Sequence, residues 1–393
     1  LQEAVRLALS RSPGLEAAKA RVDAARGRQH VAGQWANPEL EIATEDWPLG
    51  GGGFAHAKQT LGLAQTLPYP GKKKLDRRIG GTDVRIRQAE LGGRRSELVR
   101  EVKTAFVRAL AAERKFVLTG DLSKLAEAGA KAARQRVEAG DASPHDQLRA
   151  EIEWEQTRTE EAASRRARDQ AVATLCQWVG QPARPGIVLQ GSLEELGEPV
   201  AQSCRPETWL AGHPEVLAAR LEVEQAELEE KRAALEPYPD PRVRLAGGRV
   251  GESDESVLEL SLALPLPLFD RSQGRRQEAA ARSVAARAEL AAVEQRLVRE
   301  WTEASQEFHS ALEQAARYRD RILPRAEEAL RLVGDGYAAG KFGFLELVDA
   351  RRTAAGSRLV FQQKLLDSAE ARVRLESFLP APASPESPTP RQP

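Results

Sequence analysis

The sequence predicts a mainly α-helical fold with a small β part, in which a unit of one short β-hairpin and one long coiled-coil helical hairpin occurs twice. Three observations lead to this prediction. Ala, Arg, Glu and Leu crowd most windows of the chain while aromatic residues make up only 5% of the 393 residues, as in long helices. Residues 61–70 and 258–267 both alternate in hydrophobicity and end in Pro-x-Pro. The turn within 137–158 resembles the turn within 337–358.

The similarity between the two halves extends beyond these turns and indicates a duplication. Residues 12–42 resemble residues 213–245, so the copies are offset by about 200 residues, a spacing too long for a solenoid repeat. The predicted organisation is a first repeat at 1–180, a connector at 181–205, a second repeat at 206–379 and a disordered Pro-rich tail at 380–393.

Each repeat is predicted to begin with a helix, at about 13–35 and 214–236. Pro13 and Pro214 fit the first helical turn, where a missing N–H group costs nothing. Two short strands follow in each repeat, so that the β part covers 37–70 and 240–269. Gly-rich or acidic loops are predicted to join these strands as hairpins.

The strands have two different faces. Between 258 and 264 the leucines alternate with Glu259, Ser261 and Ala263, the period-two pattern of a strand with one apolar and one polar or small face. The first repeat has the same pattern. The residues predicted on the apolar face are Leu61, Leu63, Leu258, Leu260, Leu262 and Leu264.

Long helices are predicted after the strands, with returning partners at about 144–179 and 343–379. Gly140 and Gly340 are predicted to supply the positive φ of the connecting turns. Pro324 is predicted to kink or break its helix. The helical parts are 1–36, 71–180, 206–239 and 270–379. An apolar stripe with alternating steps of four and three, typical of coiled coils, consists of Leu297, Trp301, Ala304, Phe308, Ala311, Ala315, Tyr318 and Ile322.

The composition argues against several function classes. Lys plus Arg and Asp plus Glu both number 58, so no net charge recruits nucleic acid. No run of 18 apolar residues predicts a transmembrane helix. The sequence offers no catalytic set, phosphate loop or Cys/His cluster, so neither enzyme activity, a cofactor nor a bound metal is expected. Cys176 and Cys204 flank the connector, and both a disulfide and two unpaired small apolar residues fit them.

Four strands are too few to close a barrel, for which about eight are needed, and an open sheet with an apolar face is an aggregation hazard. Three chains would supply twelve strands of the length that crosses an outer membrane when tilted. The leucines named above would then face lipid.

Several stretches resemble a known family. The duplicated layout, together with "LPLPLFDRSQGRR" (264–276) and "ILPRAEEALRLVGDGYAAGKFGFLELVDARR" (322–352), resembles the TolC family of outer-membrane efflux ducts of Gram-negative bacteria over residues 1–379. "GQWANPELEI" (33–42) and "LAQTLPYPGKKKLDRR" (63–78) resemble its heavy-metal branch, the CzcC and CusC type.

This resemblance implies a homotrimer with a 12-stranded β-barrel on a 12-helix α-barrel, located in the outer membrane with a large periplasmic extension. It implies a passive duct for metal ions or small toxic compounds. The implied partners are outer-membrane lipid, a periplasmic adaptor protein and an inner-membrane pump of the RND type. Residues 181–205 would form an equatorial connector.

The resemblance also implies a gate at the two helical turns. Asp146 and Tyr337 lie where the family has its inter-helix gate contacts, and Glu346 and Asp349 lie where it has a constricting acidic ring. Phe342 stands where the family often has an arginine. Acids near a helix N-terminus that the macrodipole favours are an alternative interpretation of Glu346 and Asp349.

The two turns are similar enough to accept similar partners. A helical hairpin of the adaptor would dock in a groove around Gly140, Ser143, Leu148, Gly340, Leu345 and Val348. Two other hypotheses stay open at this point. One is a periplasmic coiled-coil adaptor or scaffold without a membrane-spanning part, and the other is a cytoplasmic helical enzyme or its regulator.

Overall fold

The computed structural model describes residues 1–46, 57–140, 142–182, 189–196, 205–251 and 255–379. The centres of both predicted hairpin loops, the Pro-rich tail, Cys204 and most of the connector lie outside the described residues. Cys176 is a buried free thiol, and burial raises its pKa above the ordinary value.

The described chain is mainly helical with one small sheet, which confirms the predicted fold class at this level. The order helix, two strands, long helix, returning helix occurs twice along the chain. The elements are α1 (Gln2–Arg11), α2 (Pro13–Gly33), β1 (Glu39–Glu45), β2 (Lys58–Thr66), α3 (Lys72–Glu138), α4 (Pro144–Val179), α5 (Leu193–Leu196), α6 (Pro206–Trp209), α7 (Pro214–Ala234), β3 (Arg242–Val250), β4 (Glu255–Ala263), α8 (Gln273–Arg317), α9 (Leu323–Ala338) and α10 (Phe344–Glu376).

The chain forms two compact units. We call the first the hairpin unit; it comprises Leu1–Glu16, Gly93–His213 and Gln295–Pro393. The second, the sheet unit, comprises Ala17–Gly92 and Pro214–Glu294.

The sheet unit contains four antiparallel strands in the order β1-β2-β3-β4. The predicted hairpins therefore pair with each other through β2 and β3. β2 ends two residues before Pro68 and β4 ends two residues before Pro265, because proline has no N–H group for a ladder and restricts the residue before it. Leu264 accordingly lies just beyond β4 rather than within the predicted strand.

One face of this sheet is apolar. The register aligns Leu40, Leu63, Leu245 and Leu260 in one row across all four strands, and more than half of each of these residues is exposed. The sequence pattern identified Leu63 and Leu260 but missed Leu40 and Leu245, because β1 and β3 alternate less regularly.

A buried lysine joins the end of β2 to the start of β3. Lys72, the first residue of α3, is 4% exposed. Its Nζ donates to the carbonyl of Tyr238 at 2.8 Å and to Oδ1 of Asp240 at 3.0 Å. The backbone N–H of Tyr69 donates to the same Oδ1 at 2.6 Å, so the ammonium group is compensated where burial would otherwise penalise it.

The hairpin unit is held by the predicted stripe. Leu297, Ala304, Phe308, Ala311 and Ala315 are all buried, whereas Trp301, Tyr318 and Ile322 are partly exposed. Alanine at three of these five buried positions allows neighbouring helices to approach closely.

The predicted break at Pro324 takes the form of a π-helical turn, Tyr318–Ile322, between α8 and α9. Pro324 lacks the N–H group that would bond to the carbonyl four residues earlier. Just before it, the N–H of Leu323 donates to the carbonyl of Tyr318, five residues back, as in a π-bulge. The helical path thus continues with a local change of pitch.

Truncation of the largest buried stripe residue tests this packing. We expect Phe308→Ala to lower the free energy of unfolding by about 3–5 kcal/mol per protomer, because it leaves a cavity where Phe308 is now 1% exposed. Thermal unfolding of the purified protein measures the effect. Phe269→Ala is the matched control, since Phe269 is 97% exposed. Equal melting temperatures for the two variants would show that the stripe is not the packing face.

Candidate functional site

The predicted functional positions of the helices lie at the two turns of the hairpin unit. We call the turn between α3 and α4 the first tip and the turn between α9 and α10 the second tip. Gly140 has φ of 81° and Gly340 has φ of 74°, which confirms the predicted left-handed turns. Each glycine N–H donates to a carbonyl three residues back, that of Val137 at 3.0 Å and that of Tyr337 at 3.1 Å. A left-handed glycine at this position ends a helix without the steric cost that a side chain would bring.

Asp146 at the first tip belongs to a capping box. The backbone N–H of Asp146 donates to Oγ of Ser143 at 3.3 Å, and its carboxylate accepts from Oγ and from the backbone N–H of Ser143, at 3.1 and 3.4 Å. This reciprocal pair satisfies donors that the first turn of a helix otherwise leaves free. Both predicted site residues here, Ser143 and Asp146, therefore fix the start of α4 within the chain.

Phe342 and Glu346 fold back over glycines at the second tip. The ring of Phe342 occupies the place of a side chain at Gly336, where an added Cβ would collide with a ring carbon. The carboxylate of Glu346 lies over Gly343 in the same way, at 2.7 Å from an added Cβ. The ring of Phe342 therefore packs against Gly336 within the second tip.

Tyr337 contacts the end of α3 rather than Asp146. A guanidinium N–H of Arg136 donates to Oη of Tyr337, and the guanidinium also lies 5.2 Å from the centroid of the tyrosine ring. A cation over an aromatic face adds an attraction of about 0.5–1 kcal/mol at exposed sites. The sequence analysis missed Arg136, because no local pattern links positions so far apart in the chain.

A groove of about 540 Å³ lies beside the tips in the hairpin unit and is lined by residues of α3, α4, α9 and α10, including Asp146, Leu345, Val348 and Asp349. Burial raises the pKa of Glu153 in this groove, although the guanidinium groups of Arg351 and Arg352 partly oppose the shift. Glu346 lies in the first turn of α10 as predicted, but Asp349 lies one turn later, and both are exposed.

The apolar residues predicted for docking are at the surface. Leu148 is 58% exposed and Leu345 is 54% exposed, whereas Val348 is partly buried. Gly140 and Gly340 have open space around their Cα atoms. Each tip therefore has one exposed leucine in the first turns of its returning helix, shortly after the left-handed glycine.

The leucines predicted to face lipid are also exposed and, within the strands, share one face. Their exposed fractions are 56% for Leu61 and Leu63, 80% for Leu258, 75% for Leu260, 68% for Leu262 and 48% for Leu264. Among the described residues, no helix is both long and apolar enough to cross a membrane. The same residues contain no group of three or more His, Cys, Asp or Glu side chains arranged to hold a metal ion.

Comparisons with known proteins give consistent results. The sequence model of the family described as "Outer membrane efflux protein" matches residues 4–181 and 206–379. The cobalt-zinc-cadmium resistance protein CzcC of Cupriavidus metallidurans is 28% identical over 382 residues, which cover 96% of this chain and 89% of CzcC.

Solved structures of outer-membrane channels share the fold. CusC superposes with a TM-score of 0.85 at 15% identity, covering 97% of this chain and 92% of CusC. The open state of the MtrE outer membrane channel of Neisseria gonorrhoeae superposes with a TM-score of 0.82 at 20% identity, covering 96% and 88% of the two chains. The resemblance to the TolC family and its heavy-metal branch is thereby confirmed, and the chain belongs to the outer membrane efflux protein family.

Proposed function

We propose that this protein is the trimeric duct of a tripartite efflux system and that it carries divalent metal cations out of the periplasm. It is an outer-membrane efflux channel component and not an enzyme. A periplasmic adaptor or scaffold is not favoured, since the matching family and the similar structures are outer-membrane channels. The cargo is proposed from the cobalt-zinc-cadmium resistance named for the CzcC relative.

The observation that supports a trimer is the structure of the sheet. Its four strands have one exposed apolar face, and the outer edges of β1 and β4 have no partner strand among the residues that the structure describes. A sheet in lipid must satisfy every backbone polar group, so its edges must pair and the barrel must close. Three copies supply twelve strands. β2, β3 and β4 have nine residues each, which suits a tilted strand that crosses a membrane in about 9–11 residues.

The partners follow from the tips. Each chain presents two tips with a left-handed glycine and an exposed leucine, which would accept helical hairpins of a periplasmic adaptor in a helix-in-groove contact. The adaptor would connect the duct to an inner-membrane pump, which we expect to be of the RND type. The helices form the periplasmic extension.

The gate is proposed at the same tips. At rest, the contact between Arg136 and Tyr337 and the capping box of Asp146 hold the ends of the helices. In the trimer, copies of Glu346 and Asp349 near the threefold axis would form an acidic ring that favours cations. Adaptor docking would open the mouth provided that it binds the open arrangement more tightly.

A charged substitution on the apolar face tests the barrel. We expect Leu260→Arg to destabilise the inserted protein by about 2–4 kcal/mol if Leu260 lies near the bilayer midplane. The measurement is the yield of heat-resistant trimer in the outer-membrane fraction. Leu217→Arg is the control, because Leu217 is an exposed leucine of α7 in the same unit. Normal assembly of Leu260→Arg would count strongly against a lipid-facing sheet.

Two charged substitutions at the tips test docking and export together. We expect the double variant Leu148→Glu with Leu345→Glu to lose export of Zn²⁺, Co²⁺ and Cd²⁺, because glutamate opposes burial of an apolar helix face. Metal accumulation is measured in cells that supply the cognate pump and adaptor. Leu332→Glu, on an exposed leucine of α9, should export normally. Full export by the double variant, with trimer intact, would place docking elsewhere.

Loss of the tip contacts should open the duct. We expect Asp146→Ala with Tyr337→Phe to raise single-channel conductance in planar bilayers. Three lost Tyr337 bonds at about 0.5–1.5 kcal/mol each shift a closed-to-open equilibrium about tenfold or more. The control is Arg331→Ala, which breaks an exposed ion pair within α9. Conductance equal to that of the parent would show that the constriction lies away from these tips.

A further inference from the structure

The second face of the sheet is covered by paired charges. Seven of the charged side chains in its strands form one continuous network in which acids and bases alternate, and every link crosses between strands. In order, the network runs through Glu39, Arg242, Glu41, Arg244, Glu259, Lys58 and Glu45. Four carboxylates and three cations leave this network one negative charge per chain.

Arg244 lies at the centre of the network. Its Nε donates to Glu41 of β1 at 2.7 Å and its Nη1 donates to Glu259 of β4 at 3.1 Å. Its Nη2 donates to Oγ1 of Thr60 at 3.2 Å. One guanidinium on β3 therefore connects carboxylates from the two outer strands of the sheet.

Small residues make this reach possible. The register places Gly62 and Ala246 between Glu41 and Glu259 in one row across the sheet. An added Cβ on Gly62 would lie 2.7 Å from Cβ of Ala246, so no larger side chain fits at that position. Because these two positions present almost no side chain, the long charged side chains lie flat across the inner strands, and only 16% of the Arg244 side chain is exposed.

The pairing determines what these carboxylates offer to a passing ion. Carboxylate oxygens bind divalent metal cations, and sites with two or more of them are common in proteins. Oxygens that already accept hydrogen bonds from a guanidinium are engaged and their charge is compensated. Without Arg244, Oε2 of Glu41 and Oε2 of Glu259 would lose their donor and face one gap. Arg242 and Lys58 would still engage only the other oxygen of each carboxylate.

We propose that Arg244 is a specificity-determining residue of the duct, which keeps Oε2 of Glu41 and Oε2 of Glu259 engaged so that divalent cations pass the charged face without being held there. This inference rests on the proposed function, in which the cargo is a divalent metal cation and the apolar face of the closed barrel meets lipid, so that the charged face lines the lumen. Arg244 acts through the two carboxylates and does not itself contact the cargo.

The test compares Zn²⁺ binding and Zn²⁺ block of K⁺ current in reconstituted trimers. Parent and variants all carry Asp146→Ala, Tyr337→Phe, Glu346→Ala and Asp349→Ala, so that the tips are open and their carboxylates do not contribute. We expect Arg244→Ala to bind Zn²⁺ by calorimetry and to be blocked at a concentration at least tenfold lower than the parent. Adding Glu41→Gln and Glu259→Gln to Arg244→Ala should abolish both effects. Arg220→Ala, which breaks an ion pair between α7 and α8, is the matched control and should behave like the parent.

The outcomes separate the two proposals. A parent that forms no K⁺ channel overturns the proposed function itself. A conducting parent with equal Zn²⁺ block in Arg244→Ala overturns only the role of Arg244. If Arg244→Ala fails to assemble, Arg244→Lys decides, because an ammonium cannot bridge two carboxylates as a guanidinium fork does. Zn²⁺ block of Arg244→Lys at a lower concentration than that of the parent supports the proposal, and block equal to that of the parent overturns it.

Discussion

The structure depends on a sheet whose single copy is unfavourable in water. A row of four leucines crosses all its strands on one face, each more than half exposed, and the outer edges of β1 and β4 have no strand beside them in the described sheet. Apolar area exposed to water costs about 25 cal/mol per Å², and unpaired edges invite uncontrolled association. A lipid environment and further copies of the chain remove both penalties at once, because lipid covers the face and neighbouring chains pair the edges. In the proposed trimer, the helical parts would then hold three chains in register.

The opposite face shows how the same strands provide a polar surface without obstructing it. Period-two alternation places leucines on one face and short residues such as Gly62 and Ala246 on the other. Because these residues are small, the longer side chains of arginine, lysine and glutamate lie across the neighbouring strands instead of projecting away from the sheet. The ion pairs therefore stabilise the register between strands and compensate charge at the same time. Exposed ion pairs each contribute little, about 0.2–1 kcal/mol, but a connected network restrains several long side chains together.

Local signals in the sequence were sufficient for most of the elements. Pro13 and Pro214 do begin α2 and α7, Gly140 and Gly340 do have positive φ, and the Pro-x-Pro motifs do follow the ends of β2 and β4, because each effect acts within a few residues. Contacts that depend on pairing between distant segments were not predictable in this way. The contact between Tyr337 and Arg136 and the bonds of Arg244 to two other strands depend on how the two halves of the chain align. A short stretch of sequence carries no information about that alignment. The gate positions came from a family resemblance, and the structure adds that Asp146 caps its own helix.

A duct differs from a binding protein because its wall must release what it meets. Cations steered toward a wall site arrive at up to about 10⁸–10⁹ M⁻¹ s⁻¹, so a site with a dissociation constant of about 1 μM would release only about 10²–10³ ions per second. Conduction needs sites that favour the ion enough to admit it and hold it weakly enough to let it leave. In the proposed trimer, a network with one uncompensated negative charge per chain would meet the first need, since a ring of three such charges attracts cations. Hydrogen-bonded carboxylates meet the second, since the oxygens that would chelate a metal are already bound. The same seven side chains would thus provide both the charge that attracts cations and the hydrogen bonds that keep the wall from retaining them.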